Sequence, residues 1–128
     1  MSDELKKRGF GVYSFVESGA NLTTGRSIEE EASTFGEALQ NWESDQRIKK
    51  IFDSEIEGLK KSDALILVEP AGHSSLLEAG VAYGMGKKVA LIGHVERPEI
   101  IYFICDRFYP TMNDFLNDVN DFARTAKK

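Results

Sequence analysis

The chain predicts an α/β fold with a parallel sheet covered by helices. Two short apolar runs, Ala64–Val68 and Lys87–Ile92, lack the polar alternation of a half-exposed strand. They read as strands buried on both faces, as parallel strands are. The segments between and after them carry helical periodicity, and strands alternating with helices imply a parallel sheet. A length of 128 residues suits one domain over residues 1–128.

In chain order, Ser2 to Arg8 reads as the end of a helix stopped by Gly9. Phe10–Val16 follows as a strand through Val12, Phe15 and Val16. Ser18 to Ser27 is glycine- and hydroxyl-rich, a loop. Ser27 opens a weaker helical stretch to about Glu43 with a capping-box pattern at Glu30. From about Asp45 to Lys61, Ile48, Ile51, Phe52, Ile56 and Leu59 form one apolar helical stripe. After the strand Ala64–Val68 and a Pro/Gly turn, a helix runs from about Ser74 to Gly84. The next strand is closed by Gly93, and Pro98 opens a short helix to about Cys105. Arg107–Tyr109 is a short last strand. Thr111 caps the final helix with Asp114 as its partner, and Met112, Phe115, Leu116, Val119, Phe122 and Ala123 form its packing stripe.

Composition excludes several functions. The net charge is −5 and no basic cluster exceeds Lys6-Lys7-Arg8, so nothing neutralises the phosphates of a nucleic acid polymer. No apolar stretch approaches the roughly 20 residues that cross a bilayer. Met1 to Leu5 has no apolar signal region, and the single cysteine, Cys105, has no intrachain partner. A cytoplasmic location is the expectation. Cys105 sits among apolar neighbours and reads as a core residue. Two histidines and one cysteine without ligand spacing give no metal site, and no cofactor is expected.

Two glutamates stand out. Glu78 lies one turn into the helix that follows Ala64–Val68, where open α/β sheets bind ligands. Its neighbours Leu76, Leu77, Ala79, Gly80, Val81 and Ala82 are apolar or glycine. Ser75 and Glu78 also fit a capping box, which would explain the glutamate without any chemistry. Glu55 stands four residues after Ile51 and four before Leu59, so it interrupts an apolar stripe. The alternative is that it snorkels out from the stripe's margin.

The stretch from Asp53 to Ile92 resembles the nucleoside 2-deoxyribosyltransferase family. The residues that carry this are Phe52-Asp53, Glu55-Ile56, Leu59 and Ser62-Asp63, the apolar strand, Pro70, Gly72, Ser74, Leu77-Glu78-Ala79-Gly80, Ala82 and Gly86-Lys87-Lys88-Val89. Leu5 to Tyr13 fits as the end of the first helix and the next strand. The resemblance implies a flavodoxin-like three-layer sandwich. It implies an enzyme that cleaves the N-glycosidic bond of a nucleoside or nucleotide, with transfer to a second base or to water. It makes Glu78 the nucleophile and Glu55, at a position usually occupied by Asp, the residue that places and protonates the leaving base. An oxocarbenium-like sugar needs a carboxylate on one face and a proton donor near the leaving group. Burial raises a carboxyl pKa and a helix N-terminus favours the anion, so the two glutamates can take different roles. Ser74, Ser75 and the N–H groups at the helix start are candidates to hold a phosphate or sugar hydroxyl, with His73 beside them. Tyr13 and Tyr83 are ring-stacking candidates, with core packing the alternative for both.

Two departures qualify the resemblance. Relatives begin with a central strand, whereas this chain starts inside the first helix. A slot is therefore expected between Phe10–Val16 and Ala64–Val68: either the protein starts earlier, or another segment fills the slot, or a partner does, and a homodimer or higher homo-oligomer is the expectation. Gly72 stands where several members carry a ribose-binding Asp or Ser. The competing functions are a non-catalytic nucleotide-binding or interaction module of the same fold, and a domain of the Toll/interleukin-1 receptor type that splits the nicotinamide bond of NAD.

Overall fold

The computed structural model describes residues 2–12 and 39–125. Along the chain these form α1 (Ser2–Lys7), α2 (Gln46–Lys61), β1 (Ala64–Val68), α3 (His73–Gly84), β2 (Lys88–Ile92), a 3-10 helix (Ile100–Ile104), β3 (Arg107–Tyr109) and α4 (Met112–Arg124). The three strands make one parallel sheet in the order β1-β2-β3. Ala64 is paired with Lys88 and Val68 with Ile92, while Ala90 to Ile92 pair with Arg107 to Tyr109.

Each face of the sheet has its own core. On one face Leu5 of α1 and Phe115, Val119 and Phe122 of α4 pack with Ala90, Ile92 and Tyr109. On the other, Leu59 of α2, Ala79 and Ala82 of α3, and Cys105 pack with Leu67, Val89 and Leu91. The 3-10 helix joins that second layer through Tyr102 and Ile104. This is an α/β three-layer arrangement of the flavodoxin type. Among the described residues β1 is hydrogen-bonded to a neighbour on one side only.

The helix boundaries follow from local chemistry. Asp45 caps α2 by accepting from the Arg47 N–H at 2.8 Å, and the same carboxylate grips the Arg47 guanidinium. The Ser62 hydroxyl ends the helix by donating to the Gly58 carbonyl at 2.6 Å. Thr111 and Asp114 close a reciprocal capping box on α4. This helix is tied to the sheet by Arg107, which reaches Asp118 at 2.7 Å and Asp121 at 3.0 Å, and by the Tyr109 hydroxyl, which donates to Asp118 at 2.6 Å. Lys88 donates to the carbonyls of Phe122 and Ala123 from the neighbouring strand.

Some expected boundaries move. Residues 10–12 of the expected strand Phe10–Val16 are not in the sheet, although Phe10 and Val12 pack on the α1/α4 core, and residues 13–16 lie outside the described residues. Of the helix expected to reach Glu43, residues 39–40 are helical and 41–44 form a turn, while the rest of it and the Ser18–Ser27 loop lie outside the described residues. The segment after Pro98 is a 3-10 helix, a short form suited to a connector.

The central strand and the α4 cap differ in what their loss should cost. Leu91→Ala should destabilise by about 2–5 kcal/mol, because it opens a cavity in a fully buried strand. Thr111→Ala should cost only about 1 kcal/mol. Urea unfolding of both variants beside the parent measures the two; equal losses would contradict this picture of the core.

Candidate active site: two facing carboxyls

The site is built by α2 and α3, which lie side by side on one face of the sheet. On α3, Ala79 and Ala82 are buried against the strands. Their small side chains bring the helix backbone close to the sheet, so Glu78, beside Ala79, is held at the helix flank and is half-buried. On α2, Leu59 is buried, and Glu55, one turn earlier on the same stripe, is half-buried.

The two carboxyl groups are hydrogen-bonded to each other. Burial pushes the Glu55 carboxyl up to about 7, and the charge of Glu78 and the hydrogen bond to it push in the same direction. Burial also raises Glu78, but the hydrogen bond from Glu55 pulls it back down. Both carboxyls are therefore shifted toward their neutral forms, Glu55 the further, and the pair favours sharing a proton. Among the described residues neither carboxyl is in a salt bridge.

The start of α3 differs from the sequence expectation in a way that matters. The N-cap is Gly72, in extended backbone, and the helix has no side-chain cap. Ser75 is already inside the helix, so the Ser75–Glu78 capping box does not form. Glu78 then lies in the second turn. The field of a helix N-terminus is confined to the first turn, so the asymmetry of the pair comes from their mutual hydrogen bond.

The remaining sequence candidates divide. Gly72, His73, Ser74 and Ser75 are exposed in the first turn of α3. Ser74, four residues before Glu78, shares its flank. His73 and Tyr83 project from other sides of the helix, away from the pair. Tyr13 lies outside the described residues. Cys105 is buried, and its thiol is pushed up to about 11 by burial, with the charges of Asp106 and Glu69 adding to the effect. It is a core residue without nucleophilic character.

Two residues differ from their reading in the sequence: Glu69 went unnoticed, and Phe52 was read only as part of a packing stripe. Glu69 follows β1 directly; one carboxyl oxygen accepts from the Ala71 N–H at 3.2 Å, and the other is buried without a partner. Its position just past an apolar strand is the signal that could have found it; β1 itself, expected to be buried on both faces, is only half-buried, with Leu67 buried and Val68 exposed. A Cβ at Gly93, which has φ +109°, would meet the Glu69 Cβ at 3.0 Å, so glycine is needed there. The second is Phe52, which is exposed although it lies on the stripe of α2 that carries Glu55 and Leu59. A separate shallow cavity of about 270 Å³ lies at the ends of β2 and β3, lined by Gly93, His94, Phe108, Tyr109 and Pro110.

Among the described residues, no group of three or more His, Cys, Asp and Glu side chains is placed to hold a metal ion, and no helix is long and apolar enough to cross a membrane. Comparison with protein-family models, with curated proteins and with solved structures finds no match.

An acid whose pKa is raised by folding binds its proton more tightly in the folded state. For Glu55 that stabilising contribution is complete below the ordinary value of 4.5 and is lost as pH rises through about 7. Glu55→Gln removes this dependence. Between about pH 5 and pH 8 the parent's Tm should therefore fall more than the variant's, and at pH 8 the variant should be the more stable. Parallel melting curves across that range would refute the shared proton.

Proposed function

We propose that the chain cleaves or transfers at the N-glycosidic bond of a nucleoside, deoxynucleoside or nucleotide, through Glu78 as nucleophile and a glycosyl-enzyme intermediate. The observation that carries this reading is the carboxyl pair: two groups facing each other from two helices, both shifted toward their neutral forms, Glu55 the further. The Leu77-Glu78-Ala79-Gly80 element after an apolar strand, which resembles the nucleoside 2-deoxyribosyltransferase family, supports it.

The chemistry balances with these two residues. A Glu78 oxygen bonds to the anomeric carbon as the carbon–nitrogen bond breaks. The bonding pair stays on the base nitrogen, and the Glu55 proton passes to the base. In the second step water or an incoming base attacks the same carbon. The ester bond breaks, its electron pair returns to Glu78, and the ionised Glu55 accepts the attacker's proton. Carboxyls of retaining glycosidases stand about 5–5.5 Å apart. In this reading a bound sugar replaces the interaction that Glu55 and Glu78 share.

A second reading, a non-catalytic nucleotide-binding module, is favoured by Gly72, which offers no side chain to a ribose hydroxyl. Incubation with a panel of nucleosides and nucleotides, followed by detection of free base, separates the two. Glu78→Gln should nearly abolish release while the fold persists, and Glu55→Gln should slow it by about 10²–10⁴-fold. Because Glu55 must carry the proton, kcat/KM should fall as pH rises above about 7. Unchanged turnover by Glu78→Gln would overturn the reading.

We further infer self-association, most simply as a homodimer. The edge of β1 that is unpaired among the described residues, and Ile100, Ile101 and Phe103 of the 3-10 helix, with Ile100 91% and Phe103 87% exposed, support it. Sedimentation at micromolar concentration should give a mass of at least twice 14.3 kDa; a monomer would contradict it. A cytoplasmic location fits the single free thiol.

A further inference from the structure

The inward stripe of α2 is not uniformly covered. Leu59 is 9% exposed, yet Phe52, two turns earlier on the same side, is 57% exposed. A scattered surface phenylalanine would need no explanation, but this one belongs to the face that α2 turns toward the sheet. The position along the sheet says where the uncovered space lies. α2 ends at Lys61, beside the start of β1. Going back from Lys61 to Phe52 rises roughly 13 Å at about 1.5 Å per residue, and β1 climbs about the same distance to Val68 at about 3.3 Å per residue. Phe52 therefore stands level with the carboxyl end of β1, where open α/β sheets take their ligands. Glu55 is three residues further on, one turn below it on the same side of the helix.

We propose that Phe52 is the stacking wall of the site, against which the flat aromatic ring of the leaving base lies while Glu55 protonates it and Glu78 takes the sugar. This rests on the proposed N-glycosidic chemistry and names its substrate class more narrowly: the leaving group is an aromatic ring. The phenyl group has no donor or acceptor, so it reads the ring's face and not its edge. Purines and pyrimidines both fit, and a puckered, saturated ring does not. A ring laid on Phe52 extends down the helix toward Glu55, which is where a nitrogen awaiting a proton must be.

Binding can be measured apart from turnover in the full-length Glu78→Gln variant. Isothermal titration with adenosine, with uridine and with 5,6-dihydrouridine, whose ring is not aromatic, reads the stacking directly. Adding Phe52→Leu should weaken adenosine and uridine binding by about five-fold to a hundred-fold, as loss of one stacked base does, and leave dihydrouridine unchanged. Adding Phe52→Trp should retain or strengthen adenosine binding, which also shows that the position tolerates substitution. Equal adenosine affinity with Phe52 and with Leu at this position, an equal loss for dihydrouridine, or no binding of any of the three would overturn the proposal. The two readings fail differently. A parent chain that binds adenosine through Phe52 but releases no base loses the catalytic reading alone. Base release that is indifferent to Phe52→Leu loses the stacking wall alone.

Discussion

The strand Lys88–Ile92 has a parallel neighbour on each side and a helical layer on each face, and a parallel sheet persists only with such cover. That demand arranges the rest of the molecule. Successive side chains of β2 alternate between two cores, Val89 and Leu91 toward α2 and α3, Ala90 and Ile92 toward α1 and α4. The helices before and after β1 must then share a face. Placing α2 and α3 together there is what brings Glu55 and Glu78 into contact, although they lie on different helices and on opposite sides of a strand in the sequence.

How far the sequence revealed this depends on whether the signal is local. The strands β1 and β2, the helix α4 and its Thr111–Asp114 box follow from neighbouring residues, and they stand as read. The interruption of an apolar stripe by Glu55 is also local, and it marked the residue correctly as half-buried. The Ser75–Glu78 box was misleading because two starts were locally compatible. The chain begins α3 at His73 instead, on a glycine cap that offers no side-chain bond. Phe52 could not be read this way at all. Periodicity says which side of a helix faces inward, but whether anything lies opposite is a property of the packed layers. Glu69 was passed over because a charged residue next to Pro70 reads as a turn, and its burial depends on the close approach of Gly93 from the next strand.

The carboxyl pair runs against the needs of stability. Two acids half-removed from water, with no cation beside them among the described residues, oppose the folding that buries them. Holding one proton between them relieves part of that cost, because one group is then neutral and its O–H satisfies the other. The relief weakens as pH approaches the value at which Glu55 ionises. A helix pair selected for packing alone would carry alanine or leucine at both positions, like Ala79 and Leu59 beside them. Stability sacrificed in half-buried groups whose titration is moved toward neutrality is what the proposed function would require.

Position 55 bears glutamate where the family that the sequence resembles usually has aspartate, and the geometry gives that extra methylene a role. Glu55 lies one turn before Leu59, which packs in the core against β1 and β2, so its backbone is anchored there and side-chain length sets its reach. The longer arm helps the carboxyl reach Glu78 on the neighbouring helix. That contact favours the neutral form of Glu55 and restrains the Glu78 carboxyl. Under the proposed chemistry, a substrate that separates the two carboxyls removes the bond that lowers Glu78 and sets its anomeric carbon against the same oxygen. In that proposal, the hydrogen bond that makes the half-buried pair tolerable is the one that binding exchanges for contacts to base and sugar, so stability and reactivity draw on a single interaction.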